Sequence, residues 1–185
     1  MSCFNLKIHL TDEDYLKFNL FHQLRSPYGK QQILSLRIMI AAIFVLSAFL
    51  ALFLSDFSGL GFVYAVPLIL ALVIMEIFSK PFFGRALKRR VKILAKKGKM
   101  AYAPDVEMEF FDDYFTEITP ESRAEQKYSL VERVSIVGTG EIYLHVNNLG
   151  GFILPRTAFS SGEERAEFIR FIKTKCETVD FYTEQ

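Results

Sequence analysis

The chain has 185 residues, and 22 Lys and Arg against 21 Asp and Glu leave a formal net charge of +1. It is 51% apolar and 23% charged with only 10 Gly and 6 Pro, which excludes a disordered, collagen-like or low-complexity chain. Two cysteines, Cys3 and Cys176, are too few for a disulfide-dense scaffold or a four-cysteine zinc site, and the balanced charge argues against a generally basic nucleic-acid binder.

That balance hides a strong segregation. Residues 1–37 carry five basic and three acidic side chains, and 38–79 carry no basic residue and only Asp56 and Glu76. Residues 80–99 carry nine basic and no acidic residues, whereas 100–185 carry eight basic and sixteen acidic ones. An apolar block flanked by positive charge and followed by an acidic region is the order a bilayer imposes.

Taken in chain order, residues 1–32 form a first cytosolic piece. Phe4, Leu6, Ile8 and Leu10 alternate strictly, which predicts a strand over Phe4–Leu10. Thr11 and Asp14 then cap a helix carrying Tyr15, Phe18, Phe21 and Leu24. With both termini on one side of the membrane, the strand is free to join the sheet of the C-terminal domain.

Residues 33–79 hold two apolar runs. Ile38–Leu54 is 17 residues without a charge, roughly 26 Å of helix, and Leu60–Met75 extends through Glu76 to Phe78. Hydrocarbon offers no partner to a bare backbone, so both runs are expected as transmembrane helices, about 36–55 and 60–79. The short polar connection makes them antiparallel neighbours, and Pro67 is expected to bend the second. Neither run has the polar face of a soluble helix, and the first begins too late, with no small-residue cleavage site after it, for a cleaved signal peptide. The turn lacks Lys and Arg while basic residues flank the outer ends, so both termini are expected in the cytoplasm.

Residues 80–99 read as a basic juxtamembrane helix. Leu87, Val91, Leu94 and Ala95 share one face, and Arg85, Lys88, Arg89, Arg90, Lys92, Lys96, Lys97 and Lys99 cover the remainder. These eight cations are the candidate contact to anionic lipid headgroups, beside their role in setting topology. Glu76, an ionisable residue in an apolar run, is the candidate intramembrane functional residue, with Lys80 or the interface as its outlet.

From residue 100 to 185 the pattern changes to short strands. Val106–Phe111 and Tyr114–Thr119 flank the acidic turn Asp112-Asp113, and Arg123–Tyr128, Val131–Val137, Glu141–Val146 and Gly151–Pro155 follow, with turn residues between them. Tyr143, His145 and Asn147 alternate with Ile142, Leu144 and Val146, which predicts one buried face. Ser161 and Glu164 form a capping box for a last helix with the apolar stripe Phe168, Ile169, Ile172 and Cys176. A curved antiparallel sheet closed by one such helix is the plan of a pleckstrin-homology-like (PH-like) barrel. The expected class is therefore an α+β membrane protein, a two-helix transmembrane hairpin plus a cytosolic PH-like antiparallel β-barrel or sheet capped by a C-terminal helix.

No chemistry can be assembled from the pattern. His9, His22 and His145 fall in separate elements without a second ligand at metal spacing, and Gly138-Thr139-Gly140 joins two strands where a dinucleotide fingerprint would join strand to helix. No nucleophile motif occurs. No catalytic residue, cofactor or metal is expected.

Thr11-Asp-Glu-Asp-Tyr15, Phe18-Asn19 and His22 before the two runs, Tyr128-Ser129 with Val131 and Val134, and Ile153, Pro155-Arg156 and Phe159 before the last helix together resemble the bacterial YcxB-like proteins over nearly the whole chain. The resemblance implies a multi-pass protein of the bacterial cytoplasmic (inner) membrane with a cytosolic PH-like domain, and it implies no activity. The aromatic that is often Trp in such proteins is Tyr128 here. Asp112-Asp113 sits where a phosphoinositide-binding PH domain would place cations, which argues against inositol phosphates at that loop. The expected function is a non-enzymatic membrane-anchored interaction module whose partners are anionic lipids and another protein or its own copies, not nucleic acid. The alternative is a subunit of a small oligomeric pore or transporter using Glu76.

Overall fold

The computed structural model describes residues 2–96, 102–147 and 150–183, with the backbone alone at 78–83, 95 and 147. The chain is α+β and divides into two compact units, residues 1–18 with 97–185 and residues 19–96.

The helical unit holds the end of α1 (Asp12–Leu24), then α2 (Pro27–Leu54) and α3 (Gly59–Lys96). Reciprocal bonds start α1 as its sequence predicts: the Thr11 N–H donates to Asp14 Oδ2 at 3.0 Å, and the Asp14 N–H to Thr11 Oγ1 at 3.2 Å. Ser26 caps α2 by accepting from the Gly29 N–H at 3.0 Å, with Pro27 at the first helical position, where its missing N–H costs nothing. Gly29 is required there, because a Cβ would strike the carbonyl oxygens of His22 and Gln23. Helix α2 thus begins well before the apolar run. Helix α3 continues through Pro67 for 38 residues, about 57 Å, so the second apolar run and the basic segment form one helix.

The second unit contains two four-stranded sheets. In the first, β1 (Phe4–His9), β2 (Asp105–Phe110), β3 (Tyr114–Ile118) and β4 (Arg123–Lys127) pair in that order, all antiparallel. The N-terminal strand therefore does join the later sheet, Leu6 opposite Met108 and Ile8 opposite Val106. In the second, the order is β7 (Gly150–Leu154), β6 (Ile142–Asn147), β5 (Arg133–Val137) and β8 (Val179–Tyr182), with β5 and β8 parallel.

The sequence predicts one closed or continuous antiparallel sheet; the described strands form two open ones instead. The cause lies between β4 and β5. Tyr128 opens a 3-10 turn there, is buried, and donates its hydroxyl to the Phe111 carbonyl at 2.7 Å. That anchor turns the chain away, so β5 does not pair with β4 and its free edge takes β8. A second departure concerns β6. The polar face expected from its alternation is covered, because Phe18 of α1 lies on Tyr143 and His145 at ring-centroid distances of 5.3 and 5.8 Å.

Helix α4 (Gly162–Lys175) closes this unit, capped by Ser161 Oγ, which accepts from the Glu164 N–H at 3.1 Å. The Glu164 carboxylate reaches one residue further back than a standard capping box, accepting from the Ser160 N–H at 2.6 Å. Phe168 is wholly buried, with Phe110 at 4.8 Å, Phe4 at 5.4 Å and Phe159 at 5.5 Å between centroids. Phe115 meets Phe152 edge-on at 5.1 Å and links the two sheets. Lys175 donates to Asp112 at 3.0 Å, so the helix end also ties down the acidic turn.

Because Phe168 touches β1, β2 and the segment before α4, Phe168→Ala is expected to destabilise this unit by about 3–5 kcal/mol, against about 1 kcal/mol for the cap change Ser161→Ala. Chemical denaturation of the full chain in detergent, followed by tyrosine fluorescence, checks that ratio.

Candidate functional site

Helices α2 and α3 pack side by side, joined at Ser55–Ser58, where Asp56 and Phe57 both take left-handed backbone angles (φ 47° and 54°). Small residues let the helices approach: Ala48 and Ala65 are buried, and a Cβ on Gly61 would crowd Ser55 Oγ and the Leu52 Cα at 3.1 Å. Over residues 38–77 many large apolar side chains are uncovered, with Leu46 67% and Val63 65% exposed.

One charged contact joins the two helices. Arg37 donates through Nε to Glu76 Oε2 at 2.6 Å and through Nη2 to the same oxygen. Both side chains are about one-third exposed. Lys80, the partner expected from sequence, is among the residues whose side chains are not described; the acceptor finds Arg37 on the neighbouring helix. The signal for this was present. Arg37 lies as far before the end of α2 at Leu54 as Glu76 lies after the start of α3 at Gly59, and an antiparallel hairpin places residues equidistant from its turn at one level. About 26 Å of helix separates that level from the turn, close to a hydrocarbon thickness.

Beyond the apolar stretch Gly59–Ile77, α3 carries the predicted cations. Arg85, Lys88, Arg89, Arg90, Lys92 and Lys96 are all exposed, and none forms an ion pair with another described residue. Lys97 and Lys99 lie outside the described residues. At about 100° per residue, Arg85, Lys88, Arg89, Lys92 and Lys96 fall on one stripe, opposite the buried Leu87 and Val91. Arg90 stands off that stripe, beside a shallow depression bordered by Ala86, Ile93 and Leu94. Measured along the axis, Arg85 is about 12 Å past Ile77 and Lys96 about 28 Å, against a Debye length of about 8 Å.

The sheet unit holds its own shifted groups. Burial pushes the Cys176 thiol up to about 11 and raises the Tyr128 and Tyr143 phenols and the Glu117 carboxyl. His145 Nε2 lies 3.2 Å from Ser135 Oγ inside the second sheet. Among the described residues no cluster of three His, Cys, Asp or Glu could hold a metal ion.

A domain of two small sheets and a capping helix, on a chain with two helices long and apolar enough to cross a membrane, fits a membrane protein. Residues 110–172, from the end of β2 into α4, match the family model described as YcxB-like protein, so this part of the chain is a YcxB-like domain. The motifs of the N-terminal piece lie outside the matched residues. No curated protein and no solved structure matches the chain.

The Arg37–Glu76 contact makes a reciprocal prediction. Removing either partner strands the other charge between two largely apolar helices. Arg37→Gln and Glu76→Gln are each expected to lower the melting temperature in lipid nanodiscs. The exchange Arg37→Glu with Glu76→Arg is expected to recover at least about half of the loss shown by Arg37→Glu alone.

Proposed function

We propose that this is a multi-pass protein of the bacterial inner membrane. Helices α2 and α3 cross as a hairpin, both termini remain in the cytoplasm, and the YcxB-like domain works as a PH-like interaction module without catalysis. The observation that carries this reading is α3 itself. One unbroken helix passes from an apolar stretch with exposed Leu and Val into a stretch whose exposed cations form no ion pair among the described residues. The change from oil to charge within one rigid element matches a bilayer boundary, and the sign of the charge matches its cytoplasmic side.

Anionic headgroups are the first partners of that stripe. Each cation near the surface is worth about 1 kcal/mol, and the distances along α3 weight the effect toward Arg85, Lys88 and Arg89. The interaction module would join a protein partner or a second copy of the chain. A pore built on Glu76 is the weaker reading, because Arg37 already occupies that carboxylate.

The native cysteines test the topology. Cys3 is exposed; Cys176 is buried, and with its thiol near 11 only about 0.1% is thiolate at pH 8. A membrane-impermeant maleimide is expected to label Cys3 in inverted membrane vesicles and not in right-side-out ones. Labelling in right-side-out vesicles would refute the orientation. Separately, Arg85, Lys88 and Arg89→Gln together are expected to cut the preference for spin-labelled phosphatidylglycerol over phosphatidylcholine by about two- to fivefold, whereas Lys92 and Lys96→Gln change it less.

A further inference from the structure

The YcxB-like domain carries two arginines that no ion pair explains. In the segment 153–159, Ile153, Pro155 and Phe159 are buried and account for themselves by packing, but Arg156 is exposed. Among the described residues it enters no salt bridge and no side-chain hydrogen bond. Its stem lies over the β5–β6 turn: Gly140 has φ +113°, and a Cβ there would stand 2.8 Å from Arg156 Cδ. Arg165, from the first turns of α4, reaches the same glycine and donates Nε to the Gly140 carbonyl at 2.8 Å. Two arginine side chains from different elements, through the Arg156 stem and the Arg165 Nε, thus meet at one glycine.

The nearby carboxylate does not balance them. Glu141 is 5% exposed, accepts from Thr139 Oγ1, and has Lys17 Nζ at 3.5 Å. Glu164 is turned to Ser160. Burial lowers the Arg165 guanidinium from its usual range and the charge of Arg156 pushes the same way, with Glu141 opposing, so the two cations repel each other across the turn. Two arginines that meet at one turn, with no ion pair to a carboxylate among the described residues, offer the planar forks of donors that a tetrahedral oxyanion satisfies.

We propose that Arg156 and Arg165, at the Gly138–Gly140 turn, bind a phosphate group, either free phosphate or the phosphomonoester headgroup of a lipid. None of its residues belongs to the cation stripe on α3 or to the acidic Asp112-Asp113 turn.

The test uses the full chain, labelled with 15N-arginine, in phosphate-free maltoside micelles at constant ionic strength. The Arg156 and Arg165 Nε–Hε resonances are identified by their loss in Arg156→Gln and Arg165→Gln. Inorganic phosphate is titrated in one arm and short-chain phosphatidic acid in the other. Saturable movement of both signals in the phosphate arm supports the site with free phosphate as ligand; movement in the phosphatidic acid arm alone supports it with a lipid headgroup. Arg156→Gln removes no hydrogen bond of the fold, and it is expected to weaken the response of Arg165 at least about tenfold with the remaining spectrum unchanged. Silence of both signals in both arms, or an unaltered Arg165 response in Arg156→Gln, overturns the proposal. The Arg85, Lys88 and Arg89→Gln variant is expected to keep the response, so a failed phosphate site and a failed membrane stripe are told apart; loss of the response in that variant would assign the anion to α3 and overturn it too.

Discussion

Hydrocarbon around α2 and α3 is the condition on which the proposed topology rests. Within residues 38–77 these helices approach along a seam that includes the small residues Ala48, Ala65 and Gly61, and they turn many Leu, Ile, Val and Phe side chains outward. In water that surface would be a large unfavourable patch. In lipid it is matched to its surroundings, and association must then come from close packing and polar contacts between the helices. Both are present, the seam near the turn and the Arg37–Glu76 contact at the other end. The ion pair is useful only in that setting, since on a wet surface it would contribute little.

The same condition would explain why the basic segment continues the second apolar helix. Continuity of α3 fixes the cations at known heights above the apolar stretch, where a flexible linker would let them wander. In the proposed topology the headgroup layer would act on Arg85, Lys88 and Arg89 as a group while Lys92 and Lys96 sit further out. The YcxB-like domain is organised differently, around aromatic rings. Phe168 gathers Phe4, Phe110 and Phe159, and Tyr128 fixes where the first sheet ends and the second begins.

Much of this was legible from residues. The Thr11–Asp14 and Ser161–Glu164 caps, the apolar runs, the alternating strand near the N-terminus and the cation stripe all announce themselves locally, because each depends on neighbours three or four positions away. Features that depend on distant partners were less so. Strand β8 is four residues long, and its parallel pairing with β5 leaves no local mark. The covered face of β6 looked wet because Tyr143 and His145 are polar, and only the arrival of Phe18 dries it. The helix was expected to change character near residue 80, yet neither Pro67 nor the shift to basic residues interrupts it. Arg37 is one of the basic residues flanking the first apolar run, and only the hairpin places it level with Glu76.

Membranes from cells making the full chain, washed first with high salt and then with alkaline carbonate, give the most direct measurement of the central claim. Integration through two helices predicts that the protein stays in the pellet through both washes and leaves it only with detergent. Release by carbonate as a species that is monodisperse without surfactant would contradict it.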